Sequence, residues 1–326
     1  MDKMQELLSS DLKQKARSKG FDPVGIARIP GSNRLKMRTE SLERWLNAGH
    51  HADMEWMKSP ARLEIETLLK GAQSVLVVGL NYFTLPKRIK SNNLLIGRYA
   101  WGNDYHKVIE KRLKEIGHWL TDQRPNSQWK VCVDSKPLLE KAWAEEAGLG
   151  WIGKNSNIIN SKRGSWMVLG SLISTEKLIP DKPASSLCGK CQKCIESCPT
   201  KAITEPFVIN SRKCIAYHNI ENRANEIPHE IEKLMGNWIA GCDICQEICP
   251  WNQKEIPISN DPDTKAKDWI VNLTIEKAME NKDEDWKQIL KGSSLRRIKP
   301  WMWKRNVNYI LKNKKLSTFK RKSDEK

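Results

Sequence analysis

The stretch LCGKCQKCIESCPTKAIT, from Leu187 to Thr204, places four cysteines within eleven residues and a proline directly after the last of them. A second group, GCDICQEICP from Gly241 to Pro250, repeats this pattern with its leading cysteine absent and ends in the same Cys-Pro pair. Cys214 is the cysteine nearby that can fill the gap. Eight cysteines therefore form two related groups of potential metal ligands.

Both groups have the spacing of iron–sulfur proteins. The C-x2-C-x2-C-x3-C-P run is typical of bacterial proteins that hold two [4Fe–4S] clusters, in which the fourth cysteine binds the neighbouring cluster. Exchanging the fourth ligands predicts one cluster on Cys188, Cys191, Cys194 and Cys249 and another on Cys198, Cys214, Cys242 and Cys245. A pair of four-cysteine zinc sites is the alternative for C-x2-C pairs. The two Cys-Pro endings favour clusters.

Length and composition limit the class of protein. A chain of 326 residues is long enough for two or three folded units. Apolar runs such as SVLVVGL at 74–80 fall far short of the roughly 20 residues that span a bilayer, and the N-terminus lacks the apolar region of a secretory signal. We expect a cytoplasmic protein without membrane contact, whose nine cysteines do not form a disulfide framework and of which the eight between Cys188 and Cys249 bind metal.

The final segment concentrates positive charge. The formal net charge is +17, and eleven basic residues stand in this segment with no acidic residue among them: Arg296, Arg297, Lys299, Lys304, Arg305, Lys312, Lys314, Lys315, Lys320, Arg321 and Lys322. Trp301, Trp303 and Tyr309 lie between them, and flat rings can stack on bases while cations contact phosphates. A solvated tail is the alternative. We predict that the segment binds nucleic acid, with its first five basic residues at phosphates.

Alternating helix and strand patterns predict an α+β (α/β) unit over residues 1–180. Helices are expected to about Lys19, around 42–46, along 109–120 and at 137–147, where a proline falls in the first turn; strands are expected at 74–83, 129–135 and 164–174. The stretch IPDKPASS at 179–186 indicates a boundary. A cysteine unit at 181–253 and a helical segment at 254–326 are expected to follow.

One acidic residue has the position of a functional group. Asp134 ends a predicted strand, where its side chain can point into a cleft. The glycines at 148, 150 and 153 would let the backbone pass close to a large flat ligand. An aspartate before a helix is as often an N-cap, and that alternative stays open on this pattern.

Four strings together resemble one known family, the epoxyqueuosine reductases. They are VDSKPLLEKAWAEEAGLGWIGKN at 133–155, RYAWGNDYHK at 98–107, CGKCQKCIESCPTKAI at 188–203 and GCDICQEICPWN at 241–252. The resemblance extends from the N-terminal helix to about Asn252. It implies a base-off cobalamin in a flavin-reductase-like first domain, a ferredoxin-like domain with two [4Fe–4S] clusters, and a short helical C-terminus. The implied reaction is the two-electron removal of the epoxide oxygen of epoxyqueuosine in a tRNA anticodon loop.

The resemblance also implies roles for individual residues. Asp134 matches the proton donor, supported by Tyr105 and His106, although a structural histidine is the alternative for His106. We expect burial against apolar surface to keep a proton on Asp134 near neutral pH. The implied cobalamin contacts are Arg62, Asp134, Ser135, Gly153, Asn155, Ile158, Leu169, Tyr217 and Asp243.

The sequence departs from the family pattern in two places, and the family's properties are not assigned to this chain there. Ile109 stands where a D-x-H-x-x-G motif would have its glycine, so ligation of cobalt by histidine is not supported. Several relatives continue into helical repeats, whereas this sequence has only the basic segment for contact with tRNA. The implied partners are a tRNA with a queuosine-type anticodon loop and a low-potential electron donor, and the protein is expected to be a monomer. A corrinoid reductase of a small molecule and a non-enzymatic electron carrier are the competing hypotheses.

Overall fold

The computed structural model describes residues 3–86 and 93–324, and side chains as far as residue 314. The basic residues Lys315, Lys320, Arg321 and Lys322 therefore lie outside the described side chains. Eleven α-helices run, in chain order, over Lys3–Ser18 (α1), Asn33–Asn47 (α2), Tyr105–Gln123 (α3), Glu140–Glu146 (α4), Lys193–Glu196 (α5), His229–Glu232 (α6), Ile244–Glu247 (α7), Asp268–Val271 (α8), Ile275–Glu280 (α9), Asp283–Ile289 (α10) and Pro300–Asp324 (α11) among these described residues.

The described strands are Val24–Arg28 (β1), Ser74–Asn81 (β2), Leu95–Ile96 (β3), Trp129–Cys132 (β4), Trp151–Ile152 (β5), Ile158–Ile159 (β6), Met167–Ser174 (β7), Ile203–Glu205 (β8), Val208–Ile209 (β9) and Trp238–Ala240 (β10). The largest sheet has the order β1-β2-β7-β4, and each neighbouring pair in it is antiparallel. Helices and an antiparallel sheet in one unit confirm a mixed fold of the α+β kind.

The central strand β2 is buried on both faces, as its continuous apolar run predicts. Because successive side chains point to opposite faces, Leu76 and Val78 pack with α1 and α3. Val75 and Val77 pack on the other face, together with Trp143 of α4. The sheet is thus held between helices, and the end of β4 emerges beside the start of α3.

The helix predicted from Pro137 begins at Glu140 instead. A hydrogen-bonded turn occupies the preceding residues, with Lys136 N donating to Val133 O and Leu138 N donating to Lys136 O. Asp134 lies in this turn with φ of +41°, a conformation that few residues other than glycine adopt. Leu139 occupies the N-cap position of α4. Asp134 is therefore not the N-cap, and its carboxylate contacts Tyr105 and His106 of α3 instead.

The C-terminal helices share a core with both earlier parts of the chain. Strand β3 pairs with β10 in parallel, and Ile96, Trp101 and Ile239 pack with Trp286 and Trp303 in one apolar cluster. Residues from all three ranges predicted from sequence therefore contribute to this core. Among the described helices, none is long and apolar enough to cross a membrane.

Candidate active site

Asp134 is the centre of a hydrogen-bonded group formed by the end of β4 and the start of α3. Its carboxylate accepts hydrogen bonds from Tyr105 Oη at 2.7 Å and from His106 Nε2 at 2.9 Å. The Asp134 side chain remains 53% exposed. The structure thus brings together the three predicted catalytic side chains, with one carboxylate oxygen shared by both donors.

His106 lies between two carboxylates. Its Nδ1 is 2.7 Å from Asp104 Oδ1, on the side opposite Asp134, and Asp104 also accepts a bond from the His106 backbone as the N-cap of α3. Burial lowers the pKa of His106, but the hydrogen bonds to Asp104 and Asp134 outweigh burial and raise it to about 9. The imidazole therefore carries its proton at neutral pH.

The expectation that burial keeps Asp134 protonated is wrong for this arrangement. Burial opposes ionisation of the carboxyl, but the hydrogen bonds from His106 and Tyr105 outweigh it, and the pKa of Asp134 is lowered. The proton in this group resides on His106. A second proton resides on Glu140, because burial, followed by the charge of Asp134, raises the pKa of Glu140 to about 8.

Glu140 and its neighbours were missed by sequence reasoning. Glu140 Oε1 accepts a hydrogen bond from the Asp134 backbone at 3.0 Å. The Lys141 ammonium donates to Ser156 O at 2.8 Å, and burial lowers its pKa. Nothing in the sequence distinguishes these residues from other charged positions of a helix start, since only the turn before α4 aims them at Asp134.

A cavity of about 150 Å³ opens in front of Asp134. Ile158 and Leu169, both predicted cofactor contacts, form part of its apolar wall, and Gln246 reaches it from the cysteine unit. The cavity therefore adjoins both the acid group and the second cysteine motif.

The remaining predicted cofactor residues do not line this cavity. Arg62 is 8% exposed and stands 5.2 Å from the centre of the Trp56 ring. One of its nitrogens donates to Leu138 O at 3.3 Å, whereas its Nε has no partner among the described atoms. Ser135, next to Asp134, is exposed. Arg62 thus offers an unsatisfied buried donor beside the acid group.

Three further predicted contacts are occupied by the chain itself. Asn155 Nδ2 donates to Cys245 O at 3.0 Å. Tyr217 Oη donates to Asp53 Oδ1 at 2.6 Å, and Asp243 accepts from Arg98 N at 2.8 Å. Burial raises the pKa of Asp243 to about 7.

The glycines predicted to admit a flat ligand approach the protein backbone instead. A Cβ on Gly150 would lie 2.2 Å from Ile159 O, and one on Gly148 would lie 2.5 Å from Lys182 O. A Cβ on Gly153 would meet the Ile159 side chain at 2.4 Å. These positions are glycine because the β5–β6 hairpin and its surroundings are closely packed.

The first cysteine set surrounds one space. Cys188, Cys191, Cys194 and Cys249 line a single cavity of about 240 Å³. Trp151 Nε1 donates to Cys188 Sγ at 3.4 Å, a contact that favours a charged thiolate. Four sulfurs around a space of this size suit a cluster better than one zinc ion, which holds its sulfurs at about 2.3 Å.

The four cysteines of the second set are all partly buried. Burial raises the pKa of Cys242 and Cys245, and the nearby thiol of Cys214 raises both further. Ala202 N donates to Cys198 Sγ at 3.3 Å. The charge of Cys198 also raises the pKa of Cys245. All four members of the predicted set therefore lie close enough to interact.

The basic segment differs from its prediction in two residues. All five N–H groups of Arg305 are used within the protein: they donate to the carbonyls of His218, Asn222 and Ala224 and to Asn306 Oδ1. Trp303 is fully buried. Its ring stacks on Trp286, with centroids 4.3 Å apart. Neither side chain is placed to contact a nucleic acid.

The other predicted phosphate contacts are exposed. Arg297 pairs with Glu221, and Lys304 is 3.2 Å from Asp283. For Arg296 and Lys299, no side-chain hydrogen bond or ion pair occurs within the part of the chain that the structure describes. Trp301 keeps 37% of its surface exposed. The accessible basic surface is therefore smaller than the sequence predicts.

Two protein-family models match this chain, one over the cysteine unit and one over a segment that ends just after Asp134. Residues 187–252 match the family model described as 4Fe-4S double cluster binding domain, and residues 62–135 match that described as Epoxyqueuosine reductase QueG, DUF1730. An epoxyqueuosine reductase of Prochlorococcus marinus (strain NATL2A) is 58% identical over 305 residues, covering 94% of this chain and 97% of that protein.

Two solved structures are also similar. One is an epoxyqueuosine reductase with an epoxyqueuosine-modified tRNA-Tyr stem loop, at 27% identity and a TM-score of 0.83, covering 94% of this chain and 81% of that one. The other is a Bacillus subtilis epoxyqueuosine reductase with its catalytic aspartate loop swung out of the active site, at 26% identity and a TM-score of 0.83, covering 94% and 82%.

An acid group joined to a double-cluster fold defines an iron–sulfur oxidoreductase. The 58% sequence identity to the Prochlorococcus marinus reductase extends over nearly the whole of both proteins and identifies the family within this class. The chain belongs to the epoxyqueuosine reductase family.

Proposed function

We propose that this protein reduces epoxyqueuosine in tRNA to queuosine, the last step of queuosine formation. The observation that carries the proposal is the Asp134 group, which faces a cavity bordered by the cysteine unit. The overall change consumes two electrons and two protons, because the epoxide oxygen leaves as water and an alkene remains. The site must therefore supply protons, receive electrons and hold an RNA loop.

Two protons are available beside Asp134. An oxygen that leaves an epoxide becomes an alkoxide unless an acid meets it, and an oriented acid is worth about 10² to 10⁴ in rate. The Asp134 carboxylate faces the cavity, where it can meet the leaving oxygen. Protonated His106 passes its proton to Asp134 through the hydrogen bond between them. Glu140, with a pKa of about 8, holds the second proton at neutral pH. Tyr105 fixes the position of the Asp134 carboxylate.

The residues in front of Asp134 fit a base-off cobalamin. The unsatisfied Nε of Arg62 offers a buried donor to an amide of the corrin edge, and Ile158 and Leu169 give an apolar wall for its face. When bound, the corrinoid supplies the reduction at the epoxide carbon. Ser135, Gly153 and Asn155 are further contributors from the first domain, which we take to be flavin-reductase-like. Tyr217 and Asp243 contribute from the cysteine unit.

The two cysteine sets hold [4Fe–4S] clusters, which transfer electrons one at a time. We assign the first to Cys188, Cys191, Cys194 and Cys249 in a ferredoxin-like domain, because these four line one cavity. The second belongs to Cys198, Cys214, Cys242 and Cys245. Gln246 and Lys141 stand between this second set and the acid group.

We assign the substrate tRNA to the face that carries Arg296, Arg297, Lys299 and Lys304. The tRNA stem loop bound to a related reductase supports a polyanionic substrate. Arg297 also lies close enough to Asp134 for their charges to interact, so this face borders the site. The reaction belongs in the cytoplasm, where tRNA is modified, and the protein acts as a monomer.

The decisive test is an anaerobic assay with reconstituted protein, cobalamin, a chemical reductant and tRNA from cells that lack this gene. Nucleoside analysis should show epoxyqueuosine converted to queuosine. Unchanged epoxyqueuosine, with both clusters and the corrinoid spectrally present, would reject the proposal. Activity on a small halogenated or epoxide compound in that case would favour a corrinoid reductase of small molecules.

The crossed cluster assignment has its own test in Cys249→Ala. We expect this variant to lose the cluster that also needs Cys188, about 60 residues away in sequence, and to keep the other. Iron quantification and electron paramagnetic resonance measure both. Retention of two unchanged clusters would show the exchange of ligands to be wrong.

A further inference from the structure

The cavity of the first cysteine set opens beside positive charge. Its lining includes Lys154 and Lys254 and no carboxylate. Lys154 Nζ donates to Gly189 O and Cys191 O, at 2.8 Å and 2.9 Å, which fixes its charge at the ligand loop. Lys254 Nζ lies 3.8 Å from the centre of the Trp251 ring.

The ligand loop itself adds two more cations. Lys190 and Lys193 stand between successive cysteines of the motif, and both are exposed. Glu196 follows on the same loop and is also exposed, so the loop keeps a positive balance. Because the lysines alternate with ligands, their charges lie within a few residues of any cluster bound there.

Apolar surface completes this face. Leu187 lines the same cavity and keeps 50% of its surface exposed. Trp251 also lines it, and the Trp251 ring packs edge-on against Trp151 at 5.0 Å. An exposed apolar centre within a charged rim is the usual anatomy of a protein docking site.

The second cysteine set borders the active site. The Lys141 charge, which borders the Asp134 cavity, interacts with Cys245. Gln246, the residue after Cys245, lines that cavity. The first set thus meets the outside, and the second set meets the active site.

We propose that the face formed by Leu187, Lys190, Lys193, Trp251 and Lys254 is the docking site of a small acidic electron-carrier protein. This rests on the proposed function only in requiring that the first cysteine set hold a cluster. Its charge selects an acidic partner, and its apolar centre provides a desolvated contact over the cluster. Each encounter transfers one electron: the carrier is oxidised by one electron, and a [4Fe–4S]²⁺ cluster becomes [4Fe–4S]⁺.

The test compares two matched double variants in the reconstituted protein. Lys190→Glu with Lys193→Glu reverses two charges beside the first set. Lys201→Glu with Lys213→Glu reverses two exposed charges beside Cys198 and Cys214 of the second set. Both variants change the net charge equally, so only the position of the charge differs between them.

Stopped-flow mixing with a reduced flavodoxin of negative net charge measures cluster reduction without tRNA. The flavin hydroquinone gives one electron and becomes the semiquinone, whose colour is distinct from iron–sulfur absorbance. We expect the Lys190/Lys193 variant to react about tenfold or more slowly at low salt, and the Lys201/Lys213 variant to react like wild type. Reduction by the methyl viologen radical cation should not slow, because that reductant is positively charged.

Iron is quantified in each protein before mixing, so that failure of the proposed function can be distinguished from failure of the docking site. Absence of clusters in the wild-type protein would reject the proposed function. With clusters present, equal rates for the two variants, or a larger loss for Lys201/Lys213, would overturn the docking site. Should the first variant lose iron, Leu187→Glu gives the same test, since Leu187 is no cluster ligand: slower reduction by flavodoxin supports the site, and an unchanged rate overturns it.

Discussion

Charged side chains serve opposite purposes at the Asp134 cavity and in the C-terminal segment. Around Asp134, His106 and Asp104 pair with one another in a site that stays open. In the C-terminal segment, Arg305 gives every donor to the protein and is 8% exposed. The type of residue does not tell these uses apart. What tells them apart is whether the hydrogen bonds leave a face of the charged group accessible.

The largest effect is expected from Asp134→Asn. The amide keeps the shape of the side chain but cannot transfer a proton, so turnover should fall by about 10² or more. Single-turnover nucleoside analysis measures the loss. Cobalamin and both clusters should remain bound, and the free energy of unfolding should change little. Near-normal turnover would show that Asp134 is not the proton donor, and the functional contrast between the Asp134 cavity and Arg305 would then fail.

Arg305→Ala should give the reverse pattern. Removing the guanidinium leaves the two buried carbonyls of His218 and Asn222 without their donor, and also removes a part-buried bond to Ala224 O. At about 1 to 3 kcal/mol for a buried unsatisfied group, the free energy of unfolding should fall by about 2 to 5 kcal/mol. Urea denaturation of the metal-loaded protein measures it. Arg296→Ala, the exposed control, should stay within about 0.5 kcal/mol of wild type.

The affinity for tRNA should depend on the exposed cations of the C-terminal segment. Arg296→Ala with Lys299→Ala removes two exposed charges, and each lost phosphate contact lowers the slope of log affinity against log salt by roughly 0.7 to 0.9. Filter binding over a salt series gives the slope. An unchanged slope would mean that the tRNA lies on another face.

The smallest effect concerns pH. The folded pKa of His106, about 9, exceeds its ordinary value of 6.5. Its pairing with Asp104 and Asp134 therefore stabilises the fold fully below pH 6.5 and is lost as pH rises through 9. We expect a loss of roughly 1 to 3 kcal/mol over this window, since the ring is partly exposed. In His106→Gln that part of the pH dependence should be absent; a curve parallel to wild type would contradict the pairing.

The sequence alone determined the parts of this protein that depend on short spacings. Four cysteines within eleven residues place their sulfurs on one short loop, and the continuous apolar run of β2 predicts a buried strand of this length. The roles of Asp134, Tyr105 and His106 were instead implied by the resemblance of two separate strings, at 133–155 and 98–107, to the epoxyqueuosine reductases. For the cysteine loop and for β2, a few covalently linked residues suffice to define the local structure.

Only the tertiary structure decided how distant groups meet. The turn before α4 brings Glu140 behind Asp134, and packing of the C-terminal helices against residues 94–101 buries Trp303. The π-helical turn Tyr217–Glu221 and its continuation present carbonyls to Arg305. The physical reason is that burial and hydrogen-bond partners set both pKa and accessibility, and these partners come from chain segments that are 80 or more residues away for Arg305.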